Sequence, residues 1–382
     1  MELNIGMVGY AFMGKAHSNA WRQAPHFFPG IPRPRLKAIC GRTRAATEEA
    51  AGRLGWESVE TDWRRLVARK DIDIVDIVTP GDAHAEIAIA AAEAGKHVIC
   101  EKPLANSWED ARRMVAAVGR AQVKNLVMFN YRRVPAIALA RQMIQEGRLG
   151  RVFHYRAQYL QEWLVDPLFP RLWRMDKTVA GVGALGDLGA HIADLSLYLV
   201  GRLERLTALT ETMIPSRPMP GQPGQTAPVT VDDCALFLGR IGESTASYEV
   251  TRLAAGRKNY LAFEINGDHG SMRFNLERLN ELEFYDRTQP AAIQGWNNIM
   301  VTDATHPYIA HWWPAGHVLG YEHTFVHAMA DFLQAVATGA EIHPDFADGA
   351  ETNAALDAIQ RSAQSGRWET VASLVTADPA GR

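Results

Sequence analysis

Apolar and polar positions along this chain change period near residue 130. Before that point, short apolar runs alternate with stretches of helical period. Residues 3–8, 36–40, 72–78, 98–100 and 126–129 predict strands, the third of them a β-branched run, Ile-Asp-Ile-Val-Asp-Ile-Val. Helices are predicted between them at 15–21, 43–54 and 83–94, with Gly95 placed as a helix stop and Ser107 as the N-cap of the next helix. Strict alternation of strand and helix implies a parallel sheet covered on both faces. Beyond 130 the order is different. A helix at 134–146, a strand at 152–160 and a helix at 185–200 precede strand candidates at 235–237, 244–251, 260–266, 271–274 and 281–285, with no helices among them. Short turns such as Asn266-Gly267-Asp268 make these a mostly antiparallel sheet. Residues 215–228, rich in Pro, Gly and Gln, read as a loop, and helices at 322–338 and 348–365 follow.

The length, 382 residues, exceeds what one hydrophobic core usually serves, so the change of pattern is read as a domain boundary, 1–130 and 131–382. A net charge of −3 gives no electrostatic reason for a nucleic-acid or anionic-membrane partner. No apolar stretch reaches the length of a membrane span. The start of the chain lacks the basic segment and long apolar run of a secretory signal. Cys40, Cys100 and Cys234 are scattered without metal-ligand spacing, as buried free thiols of a cytoplasmic protein would be.

Directly after the first strand comes Gly9-Tyr10-Ala11-Phe12-Met13-Gly14, a G-x-G-x-x-G shape with Ala11 at its second position. Glycine first permits the tight turn, the second position lets backbone approach a pyrophosphate, and the third allows helix to pack on strand. Helix N-terminal amides then meet the phosphate charge. At the end of the second strand, where an acid would bind the ribose of NAD, the chain reads Cys40-Gly41-Arg42-Thr43-Arg44. Arg42 and Arg44 suit a 2′-phosphate, which leans the reading to NADP; the alternative is two solvated residues at a helix start.

Asp187 and His191 stand four residues apart in a glycine-rich stretch that opens a predicted helix, so they would share one face. Leu188, Ile192, Leu195 and Leu199 form an apolar stripe roughly 100° away. The polar pair therefore borders the buried face. Lys102, in Glu101-Lys102-Pro103, lies just past a strand end, at the sheet edge where such folds bind ligands. Its ammonium can hydrogen-bond a reacting oxygen and stabilise developing alkoxide, and the same charge would keep His191 neutral and able to accept a proton. Asp187 would orient the imidazole or bind a neighbouring hydroxyl, and Asp194, next on that face, would support His191 or serve structure.

Four motifs in order, Gly9-x-Ala11-x-x-Gly14-x-x-His17, Thr79-Pro80-x-x-x-His84, Glu101-Lys102-Pro103 and Gly183…Asp187-x-x-x-His191-x-x-Asp194, make the whole chain resemble the glucose–fructose oxidoreductase, inositol dehydrogenase and rhizopine-catabolism (Gfo/Idh/MocA) family. Within it, Phe129–Arg133, 159–163, 304–308 and 316–321 resemble bacterial inositol and levoglucosan dehydrogenases. Ala11, and Gly81 where asparagine is frequent, depart from the family pattern. The resemblance implies an α/β protein: an N-terminal Rossmann domain, then a C-terminal domain with a large open, mostly antiparallel sheet for substrate and for a homodimer or homotetramer. It implies an NAD(P)-dependent oxidation of sugars or cyclic polyols, with Lys102, Asp187 and His191 as catalytic residues. Gly9, Ala11, Phe12, Met13, Gly14, Gly41, Arg42, Thr79, Pro80, His84, Glu101 and Lys102 are then the expected cofactor contacts, His84 near the nicotinamide ribose.

Arg132, Tyr159, Trp163 and Trp173 are candidates to join Asp187 and His191 on the substrate, since aromatic faces suit sugar C–H patches and arginine suits hydroxyl clusters. His306, His311, His317 and His323 match no zinc spacing, so no metal site is expected. Two other functions fit the same fold: an enzyme that retains its NAD and uses transient oxidation to cleave a glycoside, and a non-catalytic sugar or nucleotide sensor.

Overall fold

The computed structural model describes residues 1–374 of the chain. Its first sheet has six parallel strands, β1 (Glu2–Val8), β2 (Arg33–Cys40), β3 (Val59–Glu60), β4 (Ile74–Ile77), β5 (His97–Cys100) and β6 (Asn125–Val127), in the order β3-β2-β1-β4-β5-β6. Helices α1 (Phe12–Phe27), α2 (Arg44–Leu54), α3 (Trp63–Ala68), α4 (His84–Glu93) and α5 (Trp108–Ala121) lie between them in sequence. Strand order reverses between β1 and β4, so the turns after those strands open a crevice. All four residues of β4 are buried, as a sheet covered on both faces requires, yet one of them is Asp76. Ser107 caps α5 as expected, its hydroxyl accepting the Asp110 N–H, and Gly95 has φ +71° just past α4. The period did not reveal β3 and α3, too short to show one; Asp62 caps α3 by accepting from the Arg64 N–H.

After α6 (Pro135–Gln145) and β7 (Val152–Leu160) come α7 (Lys177–Ala180), a π-helical turn at Leu185–Gly189 and α8 (Ala190–Leu199). The expected helix over 185–200 is thus not regular: its first turn is π. Strands β8 (Arg205–Glu211), β9 (Ser216–Pro218), β10 (Thr226–Pro228), β11 (Cys234–Ile241), β12 (Ser244–Thr251), β13 (Tyr260–Gly267), β14 (Gly270–Asn275), β15 (Glu281–Asp286) and β16 (Trp296–Met300) follow. The predicted loop at 215–228 therefore holds a small hairpin, β9 with β10. Helices α9 (Tyr321–Thr338) and α10 (Phe346–Ser365) and the short β17 (Glu369–Thr370) complete the described chain.

The second sheet has nine strands in the order β16-β15-β14-β13-β7-β12-β11-β8-β17. Every pairing is antiparallel except β7 with β12, so the sheet is mixed. One face, including Tyr155, Phe237, Tyr248 and Phe263, is buried, and α6, α8 and α10 pack on this sheet. Among the described residues nothing covers its other face, where Leu209, Leu236 and Leu238 are about half exposed. Helix α9 returns to the first layer: Val326, Met329, Phe332 and Leu333 share a core with Ile5, Met7, Trp21 and Ile39.

Candidate active site

A cleft of about 560 Å³ lies between the two sheets, within the range of small-molecule sites. Its near wall is the start of α1 (Ala11, Phe12, Met13), the turn after β4 (Val78, Thr79, Pro80) and Glu101-Lys102-Pro103 after β5. Its far wall comes from the π turn, α8, the end of β7 and the residues around β12 and β13.

Lys102, Asp187 and His191, far apart in sequence, meet here. Asp232 fixes the approach: its carboxylate accepts the Gly183 and Leu185 N–H groups at 2.7 Å each. A Cβ on Gly183 would stand 1.9 Å from the Asp232 carbonyl oxygen, so only glycine fits. The π turn that follows carries Asp187, and the Ala190 N–H closes it on the Leu185 carbonyl. Lys102 Nζ donates to the Asp187 carbonyl oxygen at 2.8 Å and to its Oδ1 at 3.3 Å, and Arg252 Nη1 lies 3.9 Å from Oδ2. Asp187 thus faces two cations instead of orienting the imidazole. Burial alone would raise its carboxyl, but Lys102, Arg252 and Arg174 outweigh that and hold it at about 2. It stays an anion and is no proton acceptor near neutral pH.

His191 is held by rings, Tyr131 at 4.5 Å, Tyr159 at 5.8 Å and Phe129 at 6.1 Å between centroids. Burial and then the Lys102 charge push it well below the ordinary histidine value, with Asp187 opposing them. The imidazole is therefore neutral. Leu188, Ile192, Leu195 and Leu199 are all buried behind it, as their spacing implied. Tyr131 and Tyr159 hydroxyls lie 2.9 Å apart, and the Tyr159 O–H donates to Asn259 Oδ1, which also accepts from Gln161 Nε2. Burial pushes both phenols up, so they remain neutral hydrogen-bond donors.

The cleft gathers most of the expected residues: Ala11, Phe12, Met13, Thr79, Pro80, His84, Glu101, Lys102, Tyr159, Trp173, Asp187 and His191. Others lie elsewhere. Gly9, at φ +111°, would bring a Cβ within 2.7 Å of the Val78 carbonyl, and Gly14 packs on Gly9; both shape the turn rather than line the cleft. Gly41 packs against the Tyr10 ring, and Arg42 is exposed. Arg132 is not a pocket residue: it is 5% exposed and bound bidentately by Asp194, which consequently does not support His191. Two buried charges find each other because an unpaired one would cost several kcal/mol. Burial still pushes the Asp194 carboxyl up to about 6. Trp163 packs on Phe169, its N–H donating to Gln161. His84 has Nδ1 at 3.0 Å from the Pro103 carbonyl and Nε2 at 2.9 Å from that of Thr79, so it braces the two turns and keeps no ring nitrogen for a ligand.

Sequence reasoning missed Tyr131, Gln161, Arg174, Arg252, Asn259 and Tyr321, all on the cleft. Tyr131, Gln161 and Tyr321 stood inside stretches already singled out; Arg174, Arg252 and Asn259 carried no local signal. Among the described residues, His343, Asp345 and Asp348 also cluster, but they hydrogen-bond one another at the start of α10, Asp345 as its N-cap.

The near wall fits a dinucleotide. Helix α1, with Ala11 at its N-cap, has no side-chain cap and no acid in its first turn, which leaves its leading N–H groups open to a phosphate anion. The buried Thr79 hydroxyl on the same wall has no hydrogen-bond partner among the described residues. Fold and site together define a nicotinamide-dependent oxidoreductase acting on CH–OH groups. Two family models match: an oxidoreductase family with NAD-binding Rossmann fold over residues 3–131, and a GFO/IDH/MocA C-terminal domain over 137–273. The chain belongs to the Gfo/Idh/MocA oxidoreductase family. It is 42% identical to levoglucosan dehydrogenase of Pseudarthrobacter phenanthrenivorans over 98% of this chain and 99% of that one. It is 26% identical to inositol 2-dehydrogenase of Rhizobium meliloti over 97% and 100%. A solved levoglucosan dehydrogenase in complex with NADH and L-sorbose superposes with a TM-score of 0.95 at 43% identity, over 98% and 100% of the two chains. Among the described residues no helix is long and apolar enough to cross a membrane.

Proposed function

We propose that this protein oxidises a ring secondary alcohol of a sugar, sugar derivative or inositol. One observation carries the reading: the Lys102 ammonium, the Asp187 anion and the neutral His191 converge on one cleft, opposite the open end of α1. Bound nicotinamide would supply the hydride acceptor. Lys102 hydrogen-bonds the reacting oxygen and stabilises it as its proton leaves; His191 receives that proton. Asp187 keeps Lys102 in place and, as a fixed acceptor, binds a second hydroxyl of the substrate. Tyr159, Gln161 and Asn259 offer further hydrogen bonds, and Trp173 an apolar face for ring C–H groups. The similarity to levoglucosan dehydrogenase favours an anhydrosugar among the possible rings. Residues 1–130 form the cofactor domain and 131–382 the substrate domain of this reading.

Arg42 and Arg44, with no acid after β2, lean the cofactor to NADP, whereas the NADH-bound relative supports NAD. The half-exposed leucines of the uncovered sheet face support a homodimer or homotetramer, and three buried free thiols a cytoplasmic setting. The test is absorbance at the reduced-nicotinamide band, with both cofactors against anhydrosugars, hexoses, glycosides and inositols. Steady accumulation with a free sugar or inositol supports the dehydrogenase; turnover of glycosides without net reduction would replace it with the redox-assisted cleavage reaction.

A further inference from the structure

His17 is fully buried one turn into α1, and both of its ring nitrogens face carboxylates. Nδ1 lies 2.9 and 3.1 Å from the two oxygens of Asp76 on β4, and Nε2 lies 3.1 Å from Oε1 of Glu101 at the end of β5. The remaining acceptors are taken as well. Trp21 Nε1 donates to Asp76 Oδ2 at 2.8 Å, and the Lys102 backbone N–H donates to Glu101 Oε2 at 3.0 Å. A neutral imidazole could serve only one of the two carboxylates and would turn a lone pair towards the other. An imidazolium, a donor at both nitrogens, satisfies the two carboxylates at once. Among the described residues, Asp76 and Glu101 are the charged groups that face the ring, and Phe325 of α9 packs a ring at 5.5 Å. Asp76 also gains an explanation, since it stands in a strand otherwise made of Ile and Val.

We propose that His17 is a positioning residue for Lys102. Its imidazolium, anchored on Asp76, holds Glu101, and Glu101 in turn fixes the main chain of the lysine against the helix that receives the cofactor. The arrangement ties three segments to one another: α1, the middle strand of the sheet, and the catalytic edge after β5. Asp76 and His17 do not line the cleft, so their effect on chemistry runs through Glu101 and Lys102. Burial would lower the pKa of His17, but Asp76 and Glu101 overcome it and raise the value to about 10, in keeping with the geometry.

This inference rests on the oxidoreductase reading above, and the experiment separates the two. Histidine side-chain nitrogen NMR on the cofactor-free protein at pH 8 should show His17 protonated at both ring nitrogens; a single neutral tautomer would overturn the proposal whatever the enzyme acts on. Asp76→Asn, uncharged and of the same shape, should lower kcat by about 10-fold or more, since a shift of about 1 Å at a catalytic group costs on the order of 100-fold. Cofactor Kd, read by fluorescence quenching, should stay within about 3-fold of wild type. Unchanged kcat in that variant overturns the positioning role. A loss of cofactor affinity that accounts for the whole defect does so too. If Asp76→Asn does not fold, His17→Gln, which cannot carry the charge and does not line the cleft, is read by the same split of kcat against Kd. Wild-type protein that reduces neither cofactor with any sugar or inositol would instead count against the functional reading, with the NMR result standing by itself.

Discussion

Lys102 Nζ is closer to the main-chain oxygen of Asp187, at 2.8 Å, than to its carboxylate, at 3.3 Å. Both oxygens belong to the π turn at Leu185–Gly189. The lysine is thus held by the peptide as well as by charge. Lys102→Ala removes the ammonium paired with Asp187 and should lower kcat by about 10² or more, the usual scale of general acid–base catalysis. Steady-state kinetics on the best substrate measures this, and turnover within about threefold of wild type would remove the lysine from the mechanism.

His191→Asn should cost a similar factor of about 10² in kcat, since the amide is no proton acceptor. The pH profile carries more information. With burial and the Lys102 charge pushing His191 well below its ordinary 6.5, the imidazole is neutral throughout the range above that value. Protonation of His191 therefore removes activity only at pH well under 6.5. An acid limb centred near 6.5 in wild type that disappears in His191→Asn would contradict the environment described for this ring.

Apart from the short β3 and α3, the elements of the first layer were legible because strict alternation of apolar run and helical period leaves few other folds. The site was legible only in part. Asp187 and His191 could be paired by spacing, but spacing cannot distinguish an α turn from a π turn, and that difference sends the carboxylate to Lys102 and Arg252. Arg132 was read as facing the pocket because arginine suits hydroxyls; Asp194, charged on a buried face, was the partner waiting for it. Asn259 and Arg252 arrive from the distant sheet, where nothing local marks them. His17 stood in the first motif, yet its purpose depends on Asp76 and Glu101, 59 and 84 residues away.

Gly183→Ala tests the approach to the π turn. The added methyl would stand 1.9 Å from the Asp232 carbonyl oxygen and 2.8 Å from Arg252 Nη2, and backbone cannot retreat as a flexible side chain can. Overpacking of this kind costs about 1–3 kcal/mol or more, a fall of several degrees in Tm for a chain of this size. Activity should drop further than stability does, because Asp232 holds the backbone leading to Asp187 and Arg252 lies beside its carboxylate. A variant with wild-type Tm and kcat would show that the loop has room the structure does not display.

The charge on His17 has a consequence for stability. Its folded pKa of about 10 exceeds the unfolded value of 6.5, so the stability it contributes is fully present below pH 6.5 and is lost as pH rises through 10. Tm of wild type should decline across this window, and Asp76→Asn, which lowers the folded pKa, should flatten the decline. Parallel curves for the two proteins would mean that His17 is not the titrating group.

Cofactor choice turns on the end of β2. Arg44 is already paired with Glu48 at 3.2 Å on the surface of α2, whereas Arg42 is exposed ahead of the helix. A guanidinium donates to a 2′-phosphate through charge-assisted hydrogen bonds, so under the proposed NADP reading Arg42 would be the selecting residue. Arg42→Ala should reduce kcat/KM for NADP by about tenfold, the effect of losing ~1.4 kcal/mol of such contact, and leave kcat/KM for NAD within about twofold. The comparison is internal to one protein, so instability or poor expression cannot imitate it. Equal losses with both cofactors would place Arg42 in the fold instead of the phosphate site, and a wild type that strongly prefers NAD would end the NADP reading.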